Sequence, residues 1–181
     1  NTPFLISFHD PKTLYCGAQF LFKSLDRGDT WTKISPDLTT GPDRDSLPIM
    51  GRRPDAGTLS RNDGVGSWPC ITTIAESPVD PGILWAGTDD GNLQVTRDGG
   101  STWRNVSGRI PGLPGGTYVT RVIASRYDPG AAYATFDGHR MNDFDIYVYA
   151  TADSGQTWRP ISKGIPRNNG VVNVIREHHR N

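Results

Sequence analysis

Thr96-Arg97-Asp98-Gly99-Gly100-Ser101-Thr102-Trp103 is the stretch from which the fold can be read. Its pattern, [ST]-x-D-x-G-x-T-W, occurs twice more, as Ser24-Leu25-Asp26-Arg27-Gly28-Asp29-Thr30-Trp31 and as Thr151-Ala152-Asp153-Ser154-Gly155-Gln156-Thr157-Trp158. Self-similarity of this kind within 181 residues marks a repeat architecture.

Each octet belongs to a longer common unit. Ahead of the second octet runs Thr72-Thr73-Ile74-Ala75-Glu76-Ser77-Pro78-Val79-Asp80-Pro81-Gly82, followed by Ile83-Leu84-Trp85-Ala86-Gly87-Thr88. The first octet is preceded by Leu5-Ile6-Ser7-Phe8-His9-Asp10-Pro11 and Thr13-Leu14-Tyr15-Cys16-Gly17, and the third by Arg121 to Gly130 and Ala131-Ala132-Tyr133-Ala134-Thr135. The unit is an apolar run, an Asp-Pro turn, a second run ending in a small residue, a loop, a third run, the octet and a fourth run. Four short strands in units of roughly 40–50 residues describe propeller blades. The tail at 171–178 matches the opening of the third unit and predicts the first strand of a fourth blade. The predicted fold is therefore all-β, a β-propeller segment of about three four-stranded blades plus that strand, an incomplete ring. Its expected parts are blade 1 at about 4–35, a long loop at 36–68, blade 2 at about 69–110 and blade 3 at about 118–165. Propellers close with about four to eight blades. Remaining blades of a parent chain, or further copies, are the expected partners that close the ring.

Composition narrows the function. Nineteen basic and 19 acidic residues cancel, which excludes a global field directed at nucleic acid. No apolar stretch reaches the roughly 18 residues of a membrane span, and no signal-peptide pattern is visible. The 21 Gly and 14 Pro sit at recurring places, which reads as turns between strands rather than disorder. Cys16 and Cys70 each lie inside an apolar run, so a disulfide and two buried thiols both fit.

Within the octets, Gly28, Gly100 and Gly155 supply positive φ for tight hairpins, and Asp26, Asp98 and Asp153 accept hydrogen bonds from turn N–H groups. Trp31, Trp103 and Trp158 offer large faces to pack under the turn or between blades, with the indole N–H satisfied. Such repetition suits turn staples better than a unique acidic ligand site. The octet resembles the Asp-box, or BNR repeat, of sialidases and other propellers. The longer unit, with Ser77-Pro78-Val79-Asp80-Pro81-Gly82, Gly87-Thr88-Asp89-Asp90-Gly91 and Thr96 to Gly100, resembles the propeller of sortilin and Vps10 receptors, above all the large secreted bacterial proteins with sortilin-like propellers. The resemblance covers essentially the whole chain. It implies a propeller and an extracellular or periplasmic location, while leaving the activity open, because the fold hosts many functions.

Strand parity places the Asp-Pro turns and the octets on one face. The irregular elements fall on the other: 17–20, the 36–68 loop, 89–92, 109–118, 137–145 and 163–170. Function concentrates on loops held by a rigid scaffold. The candidate ligand-binding residues are accordingly Asp89, Asp90, Asp137, His139, Arg140 and Asp143, with Trp68, Tyr118 and Phe144 as aromatic platforms for sugar rings. Asp137, Asp143 and Asp145 also give the 137–145 loop enough carboxylates for Ca2+, without EF-hand spacing.

Other motifs carry less. Asp90 with Asp137 or Asp143 is the carboxylate pair that glycoside hydrolysis would need, but adjacent Asp89 and Asp90 on a strand point apart. Arg109-Ile110-Pro111 resembles the Arg-Ile-Pro of sialidases in three residues only, and it follows a box instead of preceding the set. Asn105-Val106-Ser107 is a glycosylation sequon. There is no His-Glu-x-x-His, no Cys-x-x-Cys and no phosphate-cradling glycine loop opening a helix. The favoured function is a non-catalytic, sortilin-like propeller module that binds protein, peptide or glycan, or acts as a scaffold in a larger exported protein. The alternative is a carbohydrate-active Asp-box hydrolase, xyloglucanase-like or sialidase-like.

Overall fold

Short runs rich in Leu, Val, Ile, Thr, Tyr and Trp, punctuated by Asp-Pro and Gly, give short strands and tight turns. In the computed structural model, which describes residues 2–43, 47–48, 51–55, 57–58, 68–166 and 170–179, they form three four-stranded sheets. The first holds β1 Phe4–Ile6, β2 Leu14–Gly17, β3 Leu21–Ser24 and β4 Thr32–Lys33. The second holds β5 Ile71–Glu76, β6 Leu84–Thr88, β7 Leu93–Thr96 and β8 Arg104–Asn105. The third holds β9 Tyr118–Ala124, β10 Ala132–Asp137, β11 Tyr147–Thr151 and β12 Arg159–Pro160. Every neighbouring pair is antiparallel and the strands lie in chain order, so each sheet is a meander and the three are blades of a β-propeller that does not close. Among the described residues, no helix is long and apolar enough to cross a membrane.

Burial follows from blades stacked face to face. β6 and β11 are buried at every position, because both of their faces are covered. The fourth strands are two residues long and largely exposed, as outer edges are. One apolar cluster joins blades 2 and 3 around Trp85, Val119, Phe136 and Trp158. A second joins blades 1 and 2 around Tyr15, Leu21, Ile71 and Leu84.

The octets make the same bonds in every blade. In blade 2 the Thr96 hydroxyl donates to Asp98 Oδ1 at 2.7 Å and accepts the Gly100 N–H at 3.0 Å. Asp98 also accepts the Thr102 N–H at 2.8 Å and the Thr102 hydroxyl at 2.6 Å. Ser24, Asp26, Gly28 and Thr30 repeat this arrangement, as do Thr151, Asp153, Gly155 and Thr157. The hydroxyl of Thr30, Thr102 or Thr157, and then its N–H, holds the carboxyl of Asp26, Asp98 or Asp153 down to about 2 from an ordinary 3.8. A folded-state value below the unfolded one stabilises the fold above about 3.8, and that contribution is lost as pH falls toward 2. Urea midpoints are therefore expected to fall across this window, with proton uptake on unfolding. Asp98→Asn should remove close to one proton from the slope, and an unchanged slope would show that the carboxyl is not held this way.

Each octet also meets the neighbouring Asp-Pro turn on the same face. Arg27, Gly99 and Ser154 N–H groups donate to Lys12, Gly82 and Gly130 carbonyls at 2.9, 2.9 and 2.8 Å. The tryptophans then tie blade to blade. Trp103 Nε1 donates to the Ile34 carbonyl of blade 1 at 3.0 Å, and Trp158 meets Trp85 of blade 2 edge-on, with centroids 6.0 Å apart. Two differences from the sequence expectation appear. Trp158 Nε1 is buried with no partner, because its ring turns into an apolar pocket where no carbonyl is offered. Trp31 is 41% exposed, since no blade covers that side of blade 1 among the described residues.

A second inter-blade device is a buried carboxylate. Glu76, 2% exposed at the end of β5, accepts the Ser7 hydroxyl at 2.9 Å, the Phe8 N–H at 2.7 Å and the Tyr15 hydroxyl at 2.9 Å, all from blade 1. Burial, followed by the adjacent carboxylate, pushes the Tyr15 phenol up from its ordinary value. Glu177 does the same to blade 3 through Ser125 at 2.8 Å, the Arg126 N–H at 2.6 Å and Tyr133 at 3.1 Å. The Thr120 hydroxyl also reaches the Val172 carbonyl at 3.0 Å, as Thr72 reaches Val119 at 2.7 Å between blades 2 and 3. Residues 171–178 thus run along blade 3 on the course of a first strand, without a strand ladder among the described residues. Cys16 and Cys70 are free thiols, which excludes the bridge.

Candidate functional site

The loops opposite the octets are built outward from the strand ends. Cys70 and Tyr118 stand at equivalent places, at the entry to the first strands of blades 2 and 3. β6 and β10 then deliver Asp89 and Asp137 beside them: the Asp89 N–H donates to the Cys70 carbonyl at 3.0 Å, and Asp137 pairs with Tyr118 across the ladder. A 3-10 turn at His139–Met141 follows, closed by Asn142 at a φ of 59°. That turn lays the Arg140 guanidinium over the Tyr118 ring, 4.7 Å from its centroid. Burial raises the Tyr118 phenol; Arg140 opposes the rise, while Asp89, Cys70 and Asp137 add to it. All five groups therefore share one electrostatic neighbourhood between two blades.

Each predicted carboxylate has a defined partner. Asp89 Oδ1 accepts the Cys70 N–H at 2.8 Å, and its Oδ2 lies 3.5 Å from Cys70 Sγ. Burial, and then the Asp89 charge, pushes the Cys70 thiol up, so it is held as the neutral donor. Asp137 is 7% exposed and accepts both the His139 N–H, at 2.8 Å, and the His139 ring nitrogen Nδ1. With Nδ1 engaged, His139 presents Nε2 outward on a side chain that is 51% exposed. Asp143 accepts the Tyr147 hydroxyl at 2.6 Å and the Asp145 N–H at 3.0 Å; these two bonds, in that order, lower its carboxyl.

Asp90 behaves differently from its neighbour. It is 7% exposed, and it accepts the Thr88 hydroxyl together with the Thr40 N–H and hydroxyl, both at 2.7 Å. Asn92 and Gln94 amides hold the Leu38 carbonyl at 3.0 and 3.1 Å. Asp90 thus anchors the start of the long loop against blade 2, with none of Asp89's partners. The rest of that loop falls partly outside the described residues.

Sequence reasoning weighed Cys70 only for a disulfide and did not place it, or Tyr147, at this site. The repeat alignment that matches Cys70 with Tyr118 would have found the first. Phe144 is 58% exposed and Met141 45%, which leaves an apolar rim beside Arg140 and His139. Trp68 is half-buried at the start of the Cys70 segment. Among the described residues, no three His, Cys, Asp or Glu side chains gather as a metal-holding group. Chemically, the arrangement offers a flat cation-backed aromatic, exposed apolar faces and hydrogen-bonding groups at fixed positions, with its carboxylates already engaged.

No family model matches the chain. An oligoxyloglucan-reducing end-specific xyloglucanase of Emericella nidulans is 31% identical across 84% of this chain. The chain spans 19% of the length of that curated relative. Among solved structures, an ancestral GH74 enzyme superposes with a TM-score of 0.57 at 12% identity, over 87% of this chain and 17% of its own. The GH74 enzyme of Niastella koreensis superposes with a TM-score of 0.54 at 18% identity, over 88% and 22%. At these identities the superpositions speak for the β-propeller fold.

Proposed function

We propose that the chain is a segment of an Asp-box propeller in an exported protein, and that the face carrying Asp89, Tyr118, Asp137, His139, Arg140 and Phe144 binds a neutral β-glucan of the xyloglucan class. The observation that carries this reading is the identity to a xyloglucanase across most of the chain, over the same blades that build this face. Three features support it. Net charge is zero, as suits an uncharged polysaccharide. Phe144 and Met141 expose apolar faces, and the faces of sugar rings are themselves apolar. Arg140, His139 and Asp89 provide donors and acceptors for ring hydroxyls around them. Binding is preferred to chemistry because Asp89, Asp90, Asp137 and Asp143 are each committed to hydrogen bonds within the protein, and the Tyr147 hydroxyl and Asp145 N–H hold the Asp143 carboxyl low, the wrong direction for a general acid.

Affinity electrophoresis against xyloglucan, xylan and mixed-linkage glucan tests this reading. Xyloglucan is expected to retard the protein. Phe144→Ala is expected to weaken binding about tenfold, the ~1.4 kcal/mol of one stacked aromatic face. Absence of retardation by any of the three would overturn it. Hydrolysis of the same glycan is the second reading, favoured by the activity in the relative's name. Reducing ends released from xyloglucan, and lost in Asp89→Asn or Asp137→Asn, would put it first.

A further inference from the structure

At the ends of the first strands nearest the Asp-Pro turns lies a cavity of about 170 Å3, well above the ~30 Å3 share of one water. It lies at the opposite ends of the first strands from Cys70 and Tyr118 and the loops described above. Leu5, Ala75 and Ile123 stand at one repeated position, each paired with the aromatic of the second strand: Tyr15, Trp85 and Tyr133. Arg176, immediately before Glu177, takes the same position in the fourth unit and lines the same cavity. Phe8, Pro78 and Arg126 occupy a second repeated position around it. The cavity therefore sits where the inner strands of successive units converge.

Its charge is unbalanced. Arg121, Arg126 and Arg176 line it, and among the described residues none of the three makes an ion pair. Arg121 Nε is buried with no hydrogen-bond partner. The two carboxylates in the wall, Glu76 and Glu177, are turned to Ser7, Tyr15 and Phe8 and to Ser125, Tyr133 and Arg126 N–H. The remaining wall is apolar, with Leu5, Ile74 and Ile123. Guanidinium groups that line a cavity without a carboxylate partner are donors that an incoming oxyanion would satisfy through charge-assisted bonds. Hydrocarbon walls disfavour a strongly hydrated inorganic ion and favour a carboxylate carried on an apolar body.

We propose that this arginine-lined cavity binds an aliphatic carboxylate, with the carboxylate on Arg121, Arg126 and Arg176 and the chain against Leu5, Ile74 and Ile123. NMR titration of the purified protein with hexanoate, hexanamide and sulfate tests it. Hexanoate is expected to bind at least tenfold more tightly than hexanamide, which keeps the shape without the charge, and more tightly than sulfate, which keeps the charge without the chain. Arg126→Gln with Arg176→Gln is expected to lower hexanoate affinity at least tenfold; both side chains are exposed, so the fold is retained. Arg121→Gln extends the series to the half-buried member. No hexanoate binding, equal binding of hexanamide, tighter binding of sulfate, or unchanged affinity in the double variant would each overturn the proposal.

Discussion

Replacing Glu76 with alanine is expected to cost about 3–5 kcal/mol, because it strands three donors that share one buried, charged acceptor. The side chain is 2% exposed and is the common acceptor for the Ser7 hydroxyl, the Tyr15 hydroxyl and the Phe8 N–H. Truncation strands these donors in the interface between blades 1 and 2, where each unsatisfied group costs about 1–3 kcal/mol, partly offset by hydroxyl reorientation. Glu76→Gln retains one acceptor oxygen but turns an amide NH2 on another donor, so its loss should be smaller, about half. Urea denaturation with linear extrapolation separates the two. Equal, small losses for both variants would mean that blade 1 docks through its apolar contacts alone.

Gly100→Ala is the second large effect, at about 3 kcal/mol or more. Gly100 has a φ of 106°, and a Cβ built there lies 2.5 Å from the backbone carbonyl oxygen of Ile34 in blade 1. The left-handed conformation alone costs roughly 1–2 kcal/mol for a residue with a Cβ. The close approach adds a forced shift between blades, because the obstructing atom is backbone. Gly99→Ala isolates the first contribution, since Gly99 has a φ of 69° with nothing within 4 Å of its Cβ. It should lose only about 1 kcal/mol. A Gly100→Ala loss no greater than that of Gly99→Ala would contradict the close packing of octet and neighbouring blade.

The blade repeat was legible because its signals are local. Each octet sets its own turn through bonds between residues two and four apart, such as Thr96 with Asp98 and Asp98 with Thr102. The assignment of faces followed from strand parity. What escaped were contacts that join distant residues. Glu76 reaches residues of the preceding blade, and nothing around Glu76 itself distinguishes it from a solvated strand-end charge. The signal lies in comparing units: Tyr15 and Tyr133 are each met by a glutamate from the following unit, whereas Trp85, which has no hydroxyl to donate, faces a unit with Ala124 at the glutamate position. The candidate site was legible as a set of loops but not in its chemistry. Asp89 and Asp90 look alike in sequence, yet one bonds Cys70 and the other anchors Thr40, a separation decided by a loop fifty residues away.

The measurement that bears most directly on the account is hydrogen exchange with and without a xyloglucan oligosaccharide. Slowed exchange is predicted in the segments 89–92 and 137–147, where Asp89, Arg140 and Phe144 lie, with the octet turns at 24–31, 96–103 and 151–158 unchanged. Protection confined to the octet turns, or no protection at saturating oligosaccharide, would contradict it.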